Sequence, residues 1–148
     1  MRHVLDRWLP TARAMALACL AVTGCTSTVV PQALLGQVDR GITYPEVAQN
    51  PEAFAGRLVL MGGVVLGVEP RGQDLYLTVA ERPLSRVDEA PVLYEGSRGD
   101  LLLQVPGGAA AAYRQGDVIT FVGSVLGRAP EAGLPPVPRI ETRYVYMW

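Results

Sequence analysis

The clearest pattern in this chain is an internal repeat of apolar residues and glycines, in which residues 56–70 align with residues 116–130, 60 positions later. In an extended strand, every second side chain lies on one face. That face is apolar in both copies, with Val59, Met61 and Val65 in the first and Ile119, Phe121 and Val125 in the second. Gly63 and Gly123 fall on the same face, and glycine inside a strand is typical of a bulge or sharp bend. The repeat therefore predicts two equivalent long, coiled strands in one closed sheet.

Three further segments are predicted to be strands: residues 74–80, 100–105 and 139–148. A helical turn is predicted through the alanines at 109–112, between the second and third of these segments. Five to six strands with short connecting helices favour a mainly β fold, a small OB-like barrel that is closed or partly open. A β-sandwich is the alternative architecture.

Two helix-start signals precede the first long strand. Thr43 is positioned to cap a short helix with Pro45 and Glu46 in its first turn. Asn50-Pro51-Glu52 repeats the signal, and Gly56 is expected to end the second turn. We therefore expect one or two short helices directly before the barrel.

The first 25 residues are organised differently from the rest of the chain. Arginines at positions 2, 7 and 13 accompany an apolar run, residues 14–22, that is too short to cross a bilayer. The run continues into Leu20-Ala21-Val22-Thr23-Gly24-Cys25, which resembles a bacterial lipobox. In such signals the bond between Gly24 and Cys25 is cut and the cysteine is lipidated. An ordinary signal peptide or a membrane-spanning anchor is the alternative, but the chain has neither a suitable Ala-x-Ala site nor the ~20 apolar residues that a span needs.

Cleavage at this site predicts three parts: a signal peptide at 1–24, a lipidated Cys25 with a flexible tether at 25–41, and a barrel domain at 42–148. Several acyl chains on one cysteine hold a protein on a membrane stably. Thr26 and Ser27 follow the cysteine in place of an aspartate. By the sorting rule of enteric lipoproteins, this favours the outer membrane, with the domain facing the periplasm.

The composition of the mature chain excludes several classes of function. After residue 24, ten arginines stand against thirteen acidic residues, a formal charge of −3, which disfavours a nucleic-acid partner. The mature chain has no lysine or histidine, and its sole cysteine is Cys25. Ser-His-Asp and Cys-His catalysis, Schiff-base chemistry and Cys/His zinc sites are therefore excluded. We expect no enzyme activity, cofactor or metal; a hydrolase using carboxylates such as Glu81 and Asp88 is the weakest hypothesis.

Tyrosines are the remaining candidates for ligand binding. Strict alternation along the last predicted strand places Ile140, Thr142, Tyr144, Tyr146 and Trp148 on one face. This face is interpreted as core or as the cover of a barrel mouth. The alternative is that Tyr76, Tyr144 and Tyr146 bind a glycan or another small polar ligand.

Taken in order along the chain, several segments resemble the Slp family of outer-membrane lipoproteins. The segments are the lipobox, Tyr44-Pro45-Glu46-Val47-Ala48-Gln49-Asn50-Pro51-Glu52-Ala53-Phe54-Ala55-Gly56, Met61-Gly62-Gly63-Val64-Val65, Glu81-Arg82-Pro83-Leu84, Tyr113-Arg114-Gln115-Gly116-Asp117-Val118-Ile119-Thr120-Phe121-Val122-Gly123 and Tyr146-Met147-Trp148. Met61 stands where the family has a tryptophan, and the loop at 85–99 differs most. The resemblance implies an outer-membrane lipoprotein linked to envelope stress or stationary phase, and it brings no catalytic residues. Apart from the resemblance, the lipobox joined to a β domain without histidine favours binding of another envelope protein or a glycan.

Overall fold

The computed structural model describes residues 28–128, 133 and 136–148. The predicted signal peptide, Gly24 and Cys25 lie outside these residues. Five strands are present in the described part: β1 (Leu58–Arg71), β2 (Asp74–Glu81), β3 (Gly99–Pro106), β4 (Val118–Arg128) and β5 (Pro138–Met147). They close into a barrel in the order β1-β2-β3-β5-β4, in which only the β3–β5 pair is parallel. The mainly β, OB-like closed barrel is confirmed, and the sandwich alternative is wrong.

Among the residues that the structure describes, four short helical elements pack around the barrel: α1 (Gln32–Leu35), α2 (Tyr44–Gln49), and two 3-10 turns at Pro51–Phe54 and Ala110–Ala112. The capping prediction for α2 is confirmed. The Glu46 carboxylate accepts hydrogen bonds from the backbone N–H of Thr43 at 2.8 Å and from its hydroxyl at 2.6 Å. These bonds, with Pro45 in the first turn, hold the start of α2.

The two copies of the sequence repeat form neighbouring antiparallel strands, β1 and β4. Met61 lies opposite Phe121, its equivalent in the repeat, while Val59 lies opposite Gly123 and Gly63 opposite Ile119. The copies are therefore related by a local two-fold arrangement centred on the Met61–Phe121 pair. The apolar face of both copies points into the core, as predicted, with the alternating leucines of β2 and β3 across the barrel.

Residues 28–41 differ from the flexible tether that the sequence suggested. Val30 is 1% exposed and Leu35 is 7% exposed, and both pack with Val122 against the outside of the barrel. The backbone N–H of Asp39 also donates to the Leu58 carbonyl at 2.9 Å. Burial of these apolar side chains fixes the segment on the barrel wall, so the folded domain begins at least as early as residue 28.

The prediction that Tyr144, Tyr146 and Trp148 share a face with Ile140 is wrong, because the side chains of the last strand change faces in its middle. β5 carries a bulge: Thr142 pairs with Gly123 and Tyr144 with Val122, which leaves Arg143 unpaired in the ladder. The extra residue reverses the alternation. Ile140 therefore packs in the core, whereas Tyr144 packs outside with the amino-terminal segment.

Candidate functional site

The segment that connects the barrel to Cys25 is the first candidate feature, and we call residues 28–38 the anchor segment. It lies across the outer wall formed by β1, β4 and β5, where Leu58, Val122 and Tyr144 contact it. The Tyr144 hydroxyl donates to the Val29 carbonyl oxygen at 2.9 Å. Tyr144 thus holds the anchor segment in place, a role that the sequence did not reveal because the bulge in β5 is not visible in the alternation.

Beside the anchor segment lies an open cavity of about 610 Å³, which we call the arginine cleft. Its described lining is Leu34, Gln37, Val38, Asp39, Arg40, Gly56, Arg57, Leu58, Ser124 and Arg143. The cleft lies where the anchor segment, the start of β1 and the bulge of β5 meet. Three of its lining side chains are guanidinium groups, and one is a carboxylate.

Asp39 is the acidic residue in the lining of the arginine cleft. Its carboxylate accepts from the backbone N–H of Gly41 at 3.0 Å and forms an ion pair with Arg57. The Gly41 hydrogen bond, followed by the hydrogen bond from Arg57, lowers the pKa of Asp39 below its usual value. Asp39 is therefore ionised at neutral pH and positions the Arg57 guanidinium.

The candidate ligand-binding tyrosines do not form one site. Tyr76 is 6% exposed and lies on β2, on the opposite face from the core residues Leu75 and Leu77. Tyr144 and Tyr146 lie on β5, which is separated from β2 by β3 on one side of the barrel. Only Tyr144 and Tyr146 are brought to a common face.

Tyr146 forms the base of a partly exposed aromatic pair. Its ring lies 5.0 Å from the ring of Trp148 at an interplanar angle of 74°, an edge-to-face contact. The indole N–H of Trp148 donates to the Thr120 hydroxyl at 3.0 Å, and that hydroxyl donates to the Glu89 carbonyl at 2.7 Å. Trp148 is 45% exposed. The end of β5 therefore offers one aromatic surface held in a fixed orientation.

The two carboxylates of the hydrolase hypothesis, Glu81 and Asp88, both accept hydrogen bonds from neighbouring groups. Glu81 is 1% exposed, and its carboxylate oxygens accept from the Nε and Nη2 atoms of Arg98 at 2.8 and 2.5 Å. Hydrogen bonds from the Ser85 side chain and from the backbone N–H of Ala90 lower the pKa of Asp88. A carboxylate with a lowered pKa is a poor general acid at neutral pH, and the Glu81 carboxylate is buried and occupied by the Arg98 guanidinium.

Within the described residues, no cluster of histidine, cysteine, aspartate or glutamate could hold a metal ion. No helix in the same residues is long and apolar enough to span a membrane.

Comparison with known proteins gives a family match over most of the chain. The model of the outer membrane lipoprotein Slp family matches residues 22–148, a range that includes Cys25, the anchor segment and the barrel. No curated protein matches the chain. Among solved structures, one similar chain is "OBody AM3L09 bound to hen egg-white lysozyme", with 14% identity, a TM-score of 0.44, and coverage of 64% of this chain and 84% of that one.

Proposed function

The chain belongs to the outer membrane lipoprotein Slp family, and from that premise we propose that it is a non-catalytic module held against the membrane through a lipidated Cys25. The domain would face the periplasm and bind or support another envelope component. The observation that carries this proposal is the packing of the anchor segment on the barrel, because it leaves little free chain between the barrel and the cysteine.

The length of that free chain can be bounded. Thr28 already belongs to the folded part, since its hydroxyl donates to the Val30 carbonyl at 3.2 Å and accepts from the Gln32 side chain at 3.0 Å. Three residue steps separate Cys25 from Thr28 and span at most about 10 Å. A lipid on Cys25 would therefore hold the β1-β4-β5 wall at the membrane surface.

The absence of enzyme activity is part of the same proposal. The mature sequence has no histidine, no lysine and no cysteine other than the candidate lipid attachment site. The Glu81–Arg98 pair is a structural contact at the end of β2, and Asp88 serves the turn that begins at Ser85. These contacts support a binding or structural role.

Metabolic labelling with a palmitate analogue tests the attachment site. Cys25→Ala should lose the label and move the protein out of the membrane fraction, because it removes the proposed lipidated thiol. Cys19→Ala, at the other cysteine of the chain, is the matched control and should keep both the palmitate label and the membrane fractionation. Unchanged label and unchanged membrane fractionation in Cys25→Ala would contradict the proposal.

A second candidate function is glycan binding at the exposed aromatic pair of Tyr146 and Trp148. The observation that favours it is the rigid presentation of Trp148, whose indole is fixed by Thr120 while nearly half of the side chain stays exposed. Trp148 is the only tryptophan after residue 24, so its fluorescence reports on this surface alone. Titration with peptidoglycan fragments should shift the emission in the wild type and not in Tyr146→Ala. An unchanged wild-type spectrum at saturating fragment would reject this candidate.

A further inference from the structure

The arginine cleft carries a local positive charge on an acidic domain. Three guanidinium groups and one carboxylate line it, and the Glu89 carboxylate approaches Arg40 from outside the lining, so the local formal charge is still +1, whereas the mature chain as a whole carries −3. A cation-rich cavity against an acidic background attracts anions locally. The charge balance therefore points to an anionic ligand.

The three arginines are held differently. Arg57 is oriented by Asp39, and Arg40 approaches the Glu89 carboxylate at 3.5 Å with its side chain 60% exposed. Arg143 is exposed, and among the described residues it makes no hydrogen bond or ion pair. The β5 bulge places Arg143 on the cleft, and bulges of this kind commonly redirect a side chain toward a site. The Arg57 guanidinium, which Asp39 orients, and the Arg143 guanidinium, which has no partner among the described residues, therefore line the same cavity.

Guanidinium groups suit one class of anion particularly well. Their planar fork donates two parallel hydrogen bonds to a phosphate or carboxylate, which a lysine ammonium cannot do. The cleft is also open and large enough for a charged headgroup, with the apolar side chains of Leu34, Val38 and Leu58 at its edge. A phosphate esterified to an apolar body matches this combination.

The position of the cleft favours one source for such a phosphate. Gln37, Val38 and the other cleft residues of the anchor segment belong to the same short element that leads to Cys25. Because a lipidated Cys25 would lie within about 10 Å of Thr28, the lipid headgroups of that leaflet would lie beside this wall.

We propose that the arginine cleft binds the phosphate group of an anionic membrane lipid in the leaflet that holds the Cys25 acyl chains. The proposal rests on the proposed function for its choice of lipid, but the cleft itself exists independently of acylation. Bound phosphate would accept hydrogen bonds from Arg143 and Arg57, which line the same cleft. Together with the acyl chains, this second contact would fix how the barrel is oriented on the membrane.

The test uses the full lipoprotein, purified in neutral maltoside micelles and analysed by native mass spectrometry. Three probes are compared: short-chain phosphatidic acid, phosphatidylcholine of the same chain length, and inorganic phosphate. The wild type should carry phosphatidic acid in preference to the other two. Arg143→Gln should reduce the phosphatidic acid adduct by about tenfold, as expected for loss of charge-assisted hydrogen bonds.

The matched control is Arg114→Gln, which removes an arginine that is also exposed but lies outside the cleft. It should stay within about twofold of the wild type if the effect is local to the cleft. Thermal unfolding of both variants should match the wild type, because neither arginine side chain has a partner among the described residues. Equal adduct loss in the two variants would overturn the proposal, as would equal binding of phosphatidylcholine.

Inorganic phosphate distinguishes the two sources of the anion. Binding as strong as that of phosphatidic acid would reject a lipid ligand and leave a free-phosphate site. Failure of the anchor proposal has a different signature, because it appears as palmitate label retained in Cys25→Ala and does not depend on Arg143. The two failures can therefore be told apart.

Discussion

Gly63 and Gly123 occupy equivalent positions in the repeat, and each permits a close backbone approach. A Cβ atom at Gly63 would collide with the Ala80 carbonyl oxygen, and one at Gly123 would come within 2.6 Å of the Glu141 carbonyl oxygen. Each glycine faces the barrel core, where a neighbouring strand crosses closely. The absence of a side chain at these two positions allows β1 and β4 to coil around the barrel.

This packing predicts the effect of adding a single methyl group. Gly63→Ala should lower the free energy of unfolding by about 1–3 kcal/mol, because the backbone of β2 must move to relieve the overlap. Gly67→Ala on the same strand is the control, because a Cβ there meets nothing within 4 Å. Its free energy of unfolding should change by no more than about 0.5 kcal/mol. Urea denaturation of both variants measures the difference. Equal midpoints would show that β1 does not approach β2 as described.

Arg143 shows the limit of residue-level prediction. Exposed arginines are common on acidic proteins, and nothing local in Thr142-Arg143-Tyr144 distinguishes this one. Its place in the cleft depends on Asp39 and Arg57, which lie more than 80 positions away along the chain. Only the fold brings these residues together, so the sequence alone could not assign them to one cavity.

At the scale of elements, the strands were predictable because alternation and the repeat are strong signals. The segment predicted at 74–80 is β2 at Asp74–Glu81, and the segment predicted at 100–105 is β3 at Gly99–Pro106. The predicted equivalence of the two long strands also extends to their irregularities. A register shift follows Val65 in β1 and the equivalent Val125 in β4.

Two elements escaped prediction for physical reasons. A single extra residue in β5 reverses which side chains face the core, and alternation cannot reveal it. The anchor segment looked unpatterned because α1 has only four residues. Val30, Leu34 and Val38 nevertheless recur at four-residue intervals, a weak sign of one apolar face that packs on the barrel.

At the scale of the whole molecule, three features meet on the β1-β4-β5 wall. The anchor segment, the arginine cleft and the 82–98 loop all contact it, the last through Leu84 and Pro91 over Gly62. An ion pair between Arg40 and Glu89 links the chain just after the anchor segment to this loop.

The same arrangement predicts an orientation, since a barrel joined by about 10 Å of chain to the proposed lipid on Cys25 would not tumble freely. Gln37 lies at the wall, whereas Gln73 lies in the turn at the far end of β1. Both side chains are exposed, so cysteine can replace either without disturbing the core. Val30→Asp would place a carboxylate at a buried position, which is energetically costly. The substitution should therefore release the anchor segment from the barrel and remove the orientation.

The most direct test is spin-label relaxation in bilayers that contain nickel-chelating lipid headgroups. With the lipoprotein reconstituted, a label at Gln37→Cys should relax strongly and a label at Gln73→Cys weakly, and adding Val30→Asp should reduce that difference. Equal relaxation at the two positions in the otherwise unchanged chain would contradict the account, because it would mean that the barrel moves on a free tether and that no face is held against the membrane.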